Sequence, residues 1–406
     1  MELLDNPVRP YAWGSRTVIA ELLGQHVPSP HPQAELWLGA HPADPSRLVH
    51  ADGQRTSLLE AVQSDPEGQL GADRALRWHK TLPFLLKVLA ANEPLSLQAH
   101  PSIAQARTGF AQEEAAGIPL DAPDRNYRDD NHKPELICAL TEFDALVGFR
   151  DPAASIALLR ALDVPELAGH VELLAAQPDA SGLRALFTTW ITLPQSMLDK
   201  LVPALQAGCV RLAGGDDGAF RTDARTMLEL SELYPGDAGV LAALLLNRVT
   251  LQPGEALFLP AGNLHAYLSG AGIELMANSD NVLRGGLTPK HVDVPELMRV
   301  LDFAAAPPPV ITGSPDGDWI RYDTPVEEFL LRRHESPRPN AAGVAVPDGG
   351  ARILLCTAGA ACVRSDGRDL ELARGASVWL AAGDTGVTVH VREPGTQLFL
   401  AGDGLA

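Results

Sequence analysis

The sequence predicts a mainly β protein, two small β-barrels with a helical insertion, and three observations carry that expectation. In residues 1–150, and again from residue 246, short apolar runs are separated by turn-forming clusters such as Ser29 Pro30 His31 Pro32 and His41 Pro42 Ala43 Asp44. Between about Asp151 and Asn247 the apolar spacing changes from two to 3.6. The third observation is an internal repeat. Gly375 Ala376 Ser377 Val378 Trp379 Leu380 Ala381 Ala382 Gly383 Asp384 parallels Gly254 Glu255 Ala256 Leu257 Phe258 Leu259 Pro260 Ala261 Gly262 Asn263. We therefore expect one barrel from residues 1–150 and 246–310, a helical insertion at 151–245 and a second barrel at 311–406, the last preceded by a linker at Pro307 Pro308 Pro309.

Composition narrows the function. The 406 residues are 46% hydrophobic and 20% charged, the balance of a soluble globular protein with room for two or three domains. No run approaches the ~18 uncharged apolar residues of a membrane span. The N-terminus MELLDNPVRPYAWG has no basic stretch leading into an apolar core, so a cytoplasmic protein is expected. The four cysteines, Cys138, Cys209, Cys356 and Cys362, form no CxxC pair and read as small buried hydrophobes. A net charge of −19 argues against nucleic acid or an anionic membrane as partner, and an anionic substrate would need a local basic cluster. We expect a monomer acting on a small molecule.

The candidate residues follow in chain order. Ala34–Ala40, AELWLGA, is a strand carrying one carboxylate, Glu35. The run LPFLLKVLAANEPLSL holds two strands around the turn Asn92 Glu93 Pro94. It embeds Lys87, whose ammonium must either snorkel outward or face a polar cavity. From Leu95 to His100 alternation is strict, so Ser96, Gln98 and His100 share one strand face, turned to water or to a polar barrel interior. In Asn131 His132 Lys133 Pro134 Glu135 the proline confines any strand to an edge or to its first residues. Lys133 and Glu135 then share a face, and an exposed ion pair worth little is the plainer reading.

Helical spacing governs Ala153–Leu162, Leu183–Ile191, Ala224–Tyr234 and Asp237–Leu246, whose apolar stripes read as core. Past it, Ala256–Leu259 is a strand ending at the turn Pro260 Ala261 Gly262 Asn263, and His265 lies just beyond. The position matching His265 in the repeat is Gly386, so the second barrel is expected to lack a metal site.

Gln98, His100, Glu135 and His265 together offer two imidazoles, a carboxylate and an amide oxygen. These donors suit zinc, and also manganese, iron, cobalt or nickel. Lys87, Lys133, Arg284 and Lys290 supply enough cations to hold a phosphate dianion.

The spacing of Gly254, Pro260 and His265 resembles the second half of the cupin signature. LPFLLKVLAANEPLSLQAHPS, NHKPEL and PAGNLHAYLSGAGIELMANSDNVLRGGLTPKH, with AELWLGAHP before them, resemble the type I mannose-6-phosphate isomerase (phosphomannose isomerase) family from about Pro7 to Leu301. Beyond Leu301 the likeness is one of pattern alone. The resemblance implies two cupin-like jelly-roll barrels plus a helical domain, the first barrel being catalytic. It also implies one zinc ion per chain on Gln98, His100, Glu135 and His265, an active-site arginine at Arg284, and interconversion of mannose 6-phosphate and fructose 6-phosphate in mannose metabolism.

Moving a proton between C1 and C2 of an open-chain sugar needs a base and an electrophile for the enediolate oxygen. Glu274 is the first choice of base, sharing a strand face with Asn278; Lys133 is the rival and a metal-activated water the third. Ser96, Lys87, Lys290 and Arg284 are the candidates for gripping phosphate, Gly285 and Gly286 letting backbone approach the anion, while Tyr267 and Trp13 line the sugar pocket. Two other classes stay open. Two histidines and a carboxylate on a cupin barrel are also the facial triad of non-haem iron oxygenases, and a sugar-phosphate-binding cupin without chemistry would use the same ligands.

Overall fold

The run Phe84–Ala91 is buried at all eight positions, and its alternation sets the architecture. Phe84, Leu86, Val88 and Ala90 join an apolar core shared with Tyr322, Ile353, Trp379 and Phe399 from the C-terminal part of the chain. Leu85, Lys87 and Leu89 point the other way, Lys87 and Leu89 into the candidate site and Leu85 against Trp37 and Met276. The computed structural model describes residues 1–215, 218–340 and 342–405. Its strands form antiparallel sheets of eleven, nine and four strands, and none of these sheets closes on itself.

Within the eleven-stranded sheet the long strand His265–Ala277 belongs to two layers. Its first residues pair with Phe143–Phe149 and Gln98. Its later ones run between Phe84–Ala91 and Glu135–Ala139. A register shift between Tyr267 and Ser269, followed by Gly270 at φ +112°, lets the strand leave one layer for the other. The two inner faces bury Leu89, Ile137, Val147, Leu251 and Leu259 between them. On its outer side, the layer carrying Leu97, Ala99, Leu146, Ala266 and Leu283 packs against Leu186, Phe187 and Trp190 of the helices.

Those helices, Pro152–Ala161, Ala168–Ala176, Ala180–Ile191, Gln195–Gly214, Arg221–Leu233 and Gly239–Ala243, agree with the helical spacing. The last is shorter than expected because the chain turns into the strand Leu246–Leu251.

The expectation of a mainly β chain is corrected: helix makes up about 29% and strand about 30%. The excess helix lies in residues 1–150, as Val18–Leu22, Leu58–Ser64, Pro66–Leu70, Ala72–Arg77 and Ile103–Ala115, and in Val294–Val300. Ser57, Asp65 and Ser102 cap three of them, Ser102 in a full capping box with Gln105. Ile103–Ala115 buries only Ala106 and Gly109, so it leaves almost no apolar period to read.

The repeat is visible in the backbone. Gly254 and Gly375 take φ of +88° and +84°, each followed by a four-residue strand, Ala256–Leu259 and Ser377–Leu380. After the next turn the copies diverge, for the first resumes as a strand at His265 and the second only at Thr388.

The sheets do not follow the sequence boundary at residue 310. Glu2–Asp5 pairs with Ser377–Leu380 and with Arg47–Val49, inside the nine-stranded sheet. Val310–Ile311 pairs instead with Ala256–Leu259. All four cysteines are buried and unpaired, and among the described residues no helix is long and apolar enough to cross a membrane.

Candidate metal centre and cleft

His100 and His265 come from one layer and Glu135 from the layer facing it. Leu97 and Ala99 bury their side chains toward the helices, which turns Gln98 inward and sets His100 at the end of its short strand. Pro134 stands just before the first residue of Glu135–Ala139, where its missing N–H costs the ladder nothing. The three side chains are buried and their ligand atoms lie within 4.8 Å of one another, the one such His/Cys/Asp/Glu group among the described residues. His100 Nε2 is 3.4 Å from Glu135 Oε1 and His265 Nε2 is 3.4 Å from Glu135 Oε2.

Each imidazole is oriented by its other nitrogen. His100 Nδ1 lies 2.7 Å from the Asn281 carbonyl and His265 Nδ1 lies 3.1 Å from the Asn263 carbonyl. A carbonyl only accepts, so each Nδ1 carries the hydrogen and each Nε2 keeps a lone pair turned inward. Burial pushes His100 down to about 4, which keeps it neutral near pH 7. Among the described residues its Nε2 is buried without a hydrogen-bond partner, which in a satisfied polar cluster is anomalous and in a metal site is required. Burial alone would raise the Glu135 carboxyl; Lys133, His100 and His265 outweigh it and hold the group well below the usual carboxylate range. Neutral imidazoles and an ionised carboxylate are the forms that bind a divalent ion.

Gln98 is directly opposite His265 in the strand ladder and lines the same chamber of about 50 Å³ as Glu135 and His265. Lys133 donates to Glu135 Oε1 at 2.9 Å with both residues buried, so this pair is no exposed ion pair. Lys87 neither snorkels nor waits for an anion. Its ammonium is 2.9 Å from Glu274 and 3.7 Å from Glu35, and Trp37 Nε1 donates to the second oxygen of Glu35 at 2.6 Å.

Comparison with known proteins decides the family. The model for "Phosphomannose isomerase type I, catalytic domain" matches residues 1–152. The mannose-6-phosphate isomerase of Escherichia coli (strain K12) is 40% identical over 393 residues, 96% of this chain and 97% of that one. The chain belongs to the type I mannose-6-phosphate isomerase family. The Homo sapiens mannose-6-phosphate isomerase is 32% identical over 417 residues, again 96% of this chain and 95% of the other. A crystal structure of a phosphomannose isomerase mutant from Salmonella typhimurium superposes with a TM-score of 0.90 at 37% identity, covering 100% of both chains. A zinc-bound holo structure of mannose 6-phosphate isomerase matches at 0.89 and 37%, covering 100% of this chain and 99% of that one.

In this member of the family the chamber shares Glu35, Lys87, Leu95, Gln98 and Lys133 with an outer cleft of about 640 Å³. Ser96, Arg284, Lys290 and Trp13 also line the cleft or pack beside it. Arg284 is partly buried and, among the described residues, its guanidinium has no ion-pair or hydrogen-bond partner. Burial, and then the charge of Arg128, holds it below its usual pKa. Glu274 and Tyr267 lie deeper, in the chamber. Burial raises the Glu274 carboxyl against the pull of Lys87, and among the described residues the buried Tyr267 hydroxyl meets no hydrogen-bond geometry.

Two expectations change. Lys87 is held by two carboxylates, so it is removed from the cations free to grip phosphate. Gly286 does not serve close approach of an anion. With φ at +121°, a Cβ there would meet the Gly239 Cα at 2.5 Å, so it accommodates the helix Gly239–Ala243. The sequence reading passed over Arg128, Trp37 and the positioning by Asn281. Arg128 stands in a long connection without regular structure, 116–134, and that length was the available signal.

Proposed function

We propose that this chain interconverts mannose 6-phosphate and fructose 6-phosphate, with one zinc ion held by Gln98, His100, Glu135 and His265. The observation that carries the reading is the orphaned lone pair of His100, aimed with His265 at the two oxygens of Glu135 beside a cleft in which the Arg284 and Lys290 side chains make no ion pair or hydrogen bond among the described residues. Zinc when bound supplies a Lewis acid for the oxygens at C1 and C2.

The chain's own residues do the rest. Ser96, Arg284 and Lys290 hold the phosphate end in the cleft, and Arg284 also offers its planar donors to the developing enediolate. Glu274 is the base, taking the proton from C2 of the aldose and returning it to C1, while a hydroxyl proton passes from O2 to O1. Lys87, fixed against Glu274 and Glu35, keeps that carboxylate oriented. Lys133 is bonded to Glu135 as an ammonium and has no lone pair for the task, so its role is to hold the ligand carboxylate. Tyr267 and Trp13 line the sugar's path.

The architecture we propose is two cupin-like jelly rolls and a helical domain. The facing layers that share His265–Ala277 support the first and the Gly254 and Gly375 repeat supports the second. Residues 1–150 and 246–310 form the catalytic unit, 151–245 the helical one and 311–406 the second jelly roll, which borrows the strand Glu2–Asp5.

The test is a coupled isomerase assay on metal-analysed protein. Conversion of mannose 6-phosphate without oxygen uptake is expected. Zinc-loaded protein that binds the sugar phosphate and does not convert it, or that consumes oxygen, overturns the reading.

A further inference from the structure

We infer that Arg128 is a third substrate-gripping cation, completing a phosphate site with Arg284 and Lys290. The inference rests on the functional reading above and adds a residue to it.

The connection 116–134 that carries Arg128 is long and irregular, yet it is locked almost residue by residue. Arg125 is buried and donates to the Tyr127 carbonyl at 2.7 Å and to Glu114 at 2.6 Å. The backbone N–H groups of Asn126 and Tyr127 donate to the Glu113 carboxylate at 3.0 and 2.8 Å. The Asn126 side chain reaches Asp293 at 2.8 Å and the Tyr127 hydroxyl bonds Glu296. On the other side, the Arg128 and Asp129 N–H groups donate to the Asn281 side-chain oxygen at 2.7 and 3.3 Å, and the Asn281 amide returns a bond to the Asp129 carbonyl at 2.8 Å.

Against this background the Arg128 side chain is the exception, exposed at the cleft and making no ion pair or hydrogen bond among the described residues. The cleft carboxylate Asp280, which feels the Arg128 charge, is engaged with His41 at 3.5 Å. Arg128 also adds to the burial that holds the Arg284 guanidinium and the Lys290 ammonium below their usual values, so the three cations sit within one another's field. Three like charges gathered within one another's field, none of them in an ion pair among the described residues, repel one another until an anion joins them. The locked backbone means that little ordering is left for binding to cost. A phosphate dianion has the oxygens to accept from two guanidinium groups and an ammonium together.

The experiment compares wild-type protein with Arg128→Gln and Arg128→Lys in steady-state kinetics, and titrates each with inorganic phosphate by calorimetry. Arg128→Gln should raise KM and the phosphate dissociation constant together, each about tenfold, as loss of one charge-assisted contact implies, with turnover at saturation little changed. Arg128→Lys should recover part of both, and the effect should shrink as salt is added. KM and phosphate affinity both within twofold of wild type in Arg128→Gln would overturn the inference, as would a fall in turnover with KM unchanged. Wild-type protein that does not isomerise the sugar phosphate defeats the functional reading instead, and phosphate calorimetry alone then decides Arg128.

Discussion

Gln98 stands directly opposite His265 across one strand pair, and on its other side it stands directly opposite Arg284. Residues opposed in this way share a face with Cβ atoms ~5 Å apart. The row therefore carries a metal-ligand imidazole at one end and a guanidinium at the other, roughly 10 Å apart at the backbone, with the amide between them. The arrangement rests on paired strands rather than on a loop.

Removing either imidazole should empty the metal site. His265→Ala and His100→Ala are expected to lose stoichiometric metal and activity together, because the remaining donors cannot close the coordination shell. Metal analysis of the purified variants checks this, and full metal content in either would refute the ligand assignment. Wild-type protein should carry one ion per chain, since Gly386 occupies the place of His265 in the repeat. Chelation should abolish activity while leaving the circular dichroism spectrum folded, because the layers holding the ligands have apolar cores of their own.

Arg284→Lys keeps the charge and loses the two parallel donors, so it should remain severely impaired. If the guanidinium acts mainly on the enediolate, Arg284→Ala lowers turnover at saturating substrate with little change in KM, the pattern we expect, whereas a guanidinium that only grips phosphate would raise KM instead. Near-normal kinetics in Arg284→Ala would remove the residue from the site.

The Lys87 ammonium is buried between Glu274 and Glu35, and their charges outweigh burial to keep it protonated. Lys87→Met should destabilise the fold by about 3–5 kcal/mol by leaving those carboxylates uncompensated. Denaturant unfolding measures this, and a loss under about 1 kcal/mol would mean that the carboxylates readily take up protons or water. Glu274→Gln should keep its metal and lose turnover, as expected of a missing base.

Asn281 is fully buried, and its amide nitrogen donates to the Asp129 and Asn131 carbonyls and to Asp129 Oδ1, at 2.8, 2.8 and 3.1 Å. Asn281→Asp turns that donor into a fourth acceptor, which should cost about 1–3 kcal/mol. Because the Asn281 carbonyl orients His100, metal affinity should fall as well, by about 10–100-fold. Stability lost with metal affinity unchanged would show that the carbonyl holds its place without the side chain.

The sequence by itself determined the donors and their faces. Strict alternation from Leu95 to His100 put Ser96, Gln98 and His100 on one face, and the turn before His265 was written in Pro260–Asn263; that this face meets the chamber rather than water was decided by Leu97 and Ala99 packing against the helices. Period and turn chemistry are local, and local rules survive into the fold. Only the tertiary structure decided which charges are free. Lys87 and Arg284 look alike in the chain, yet Lys87 is closed off by Glu274 and Glu35 from neighbouring strands while Arg284 and Arg128 face the cleft with no ion pair among the described residues. The strand Glu2–Asp5 placed beside Ser377–Leu380 and Gly286 against Gly239 were equally out of reach. Each depends on a partner far away in sequence, and pairing across such separations is set by packing of the whole chain rather than by any residue's own preference.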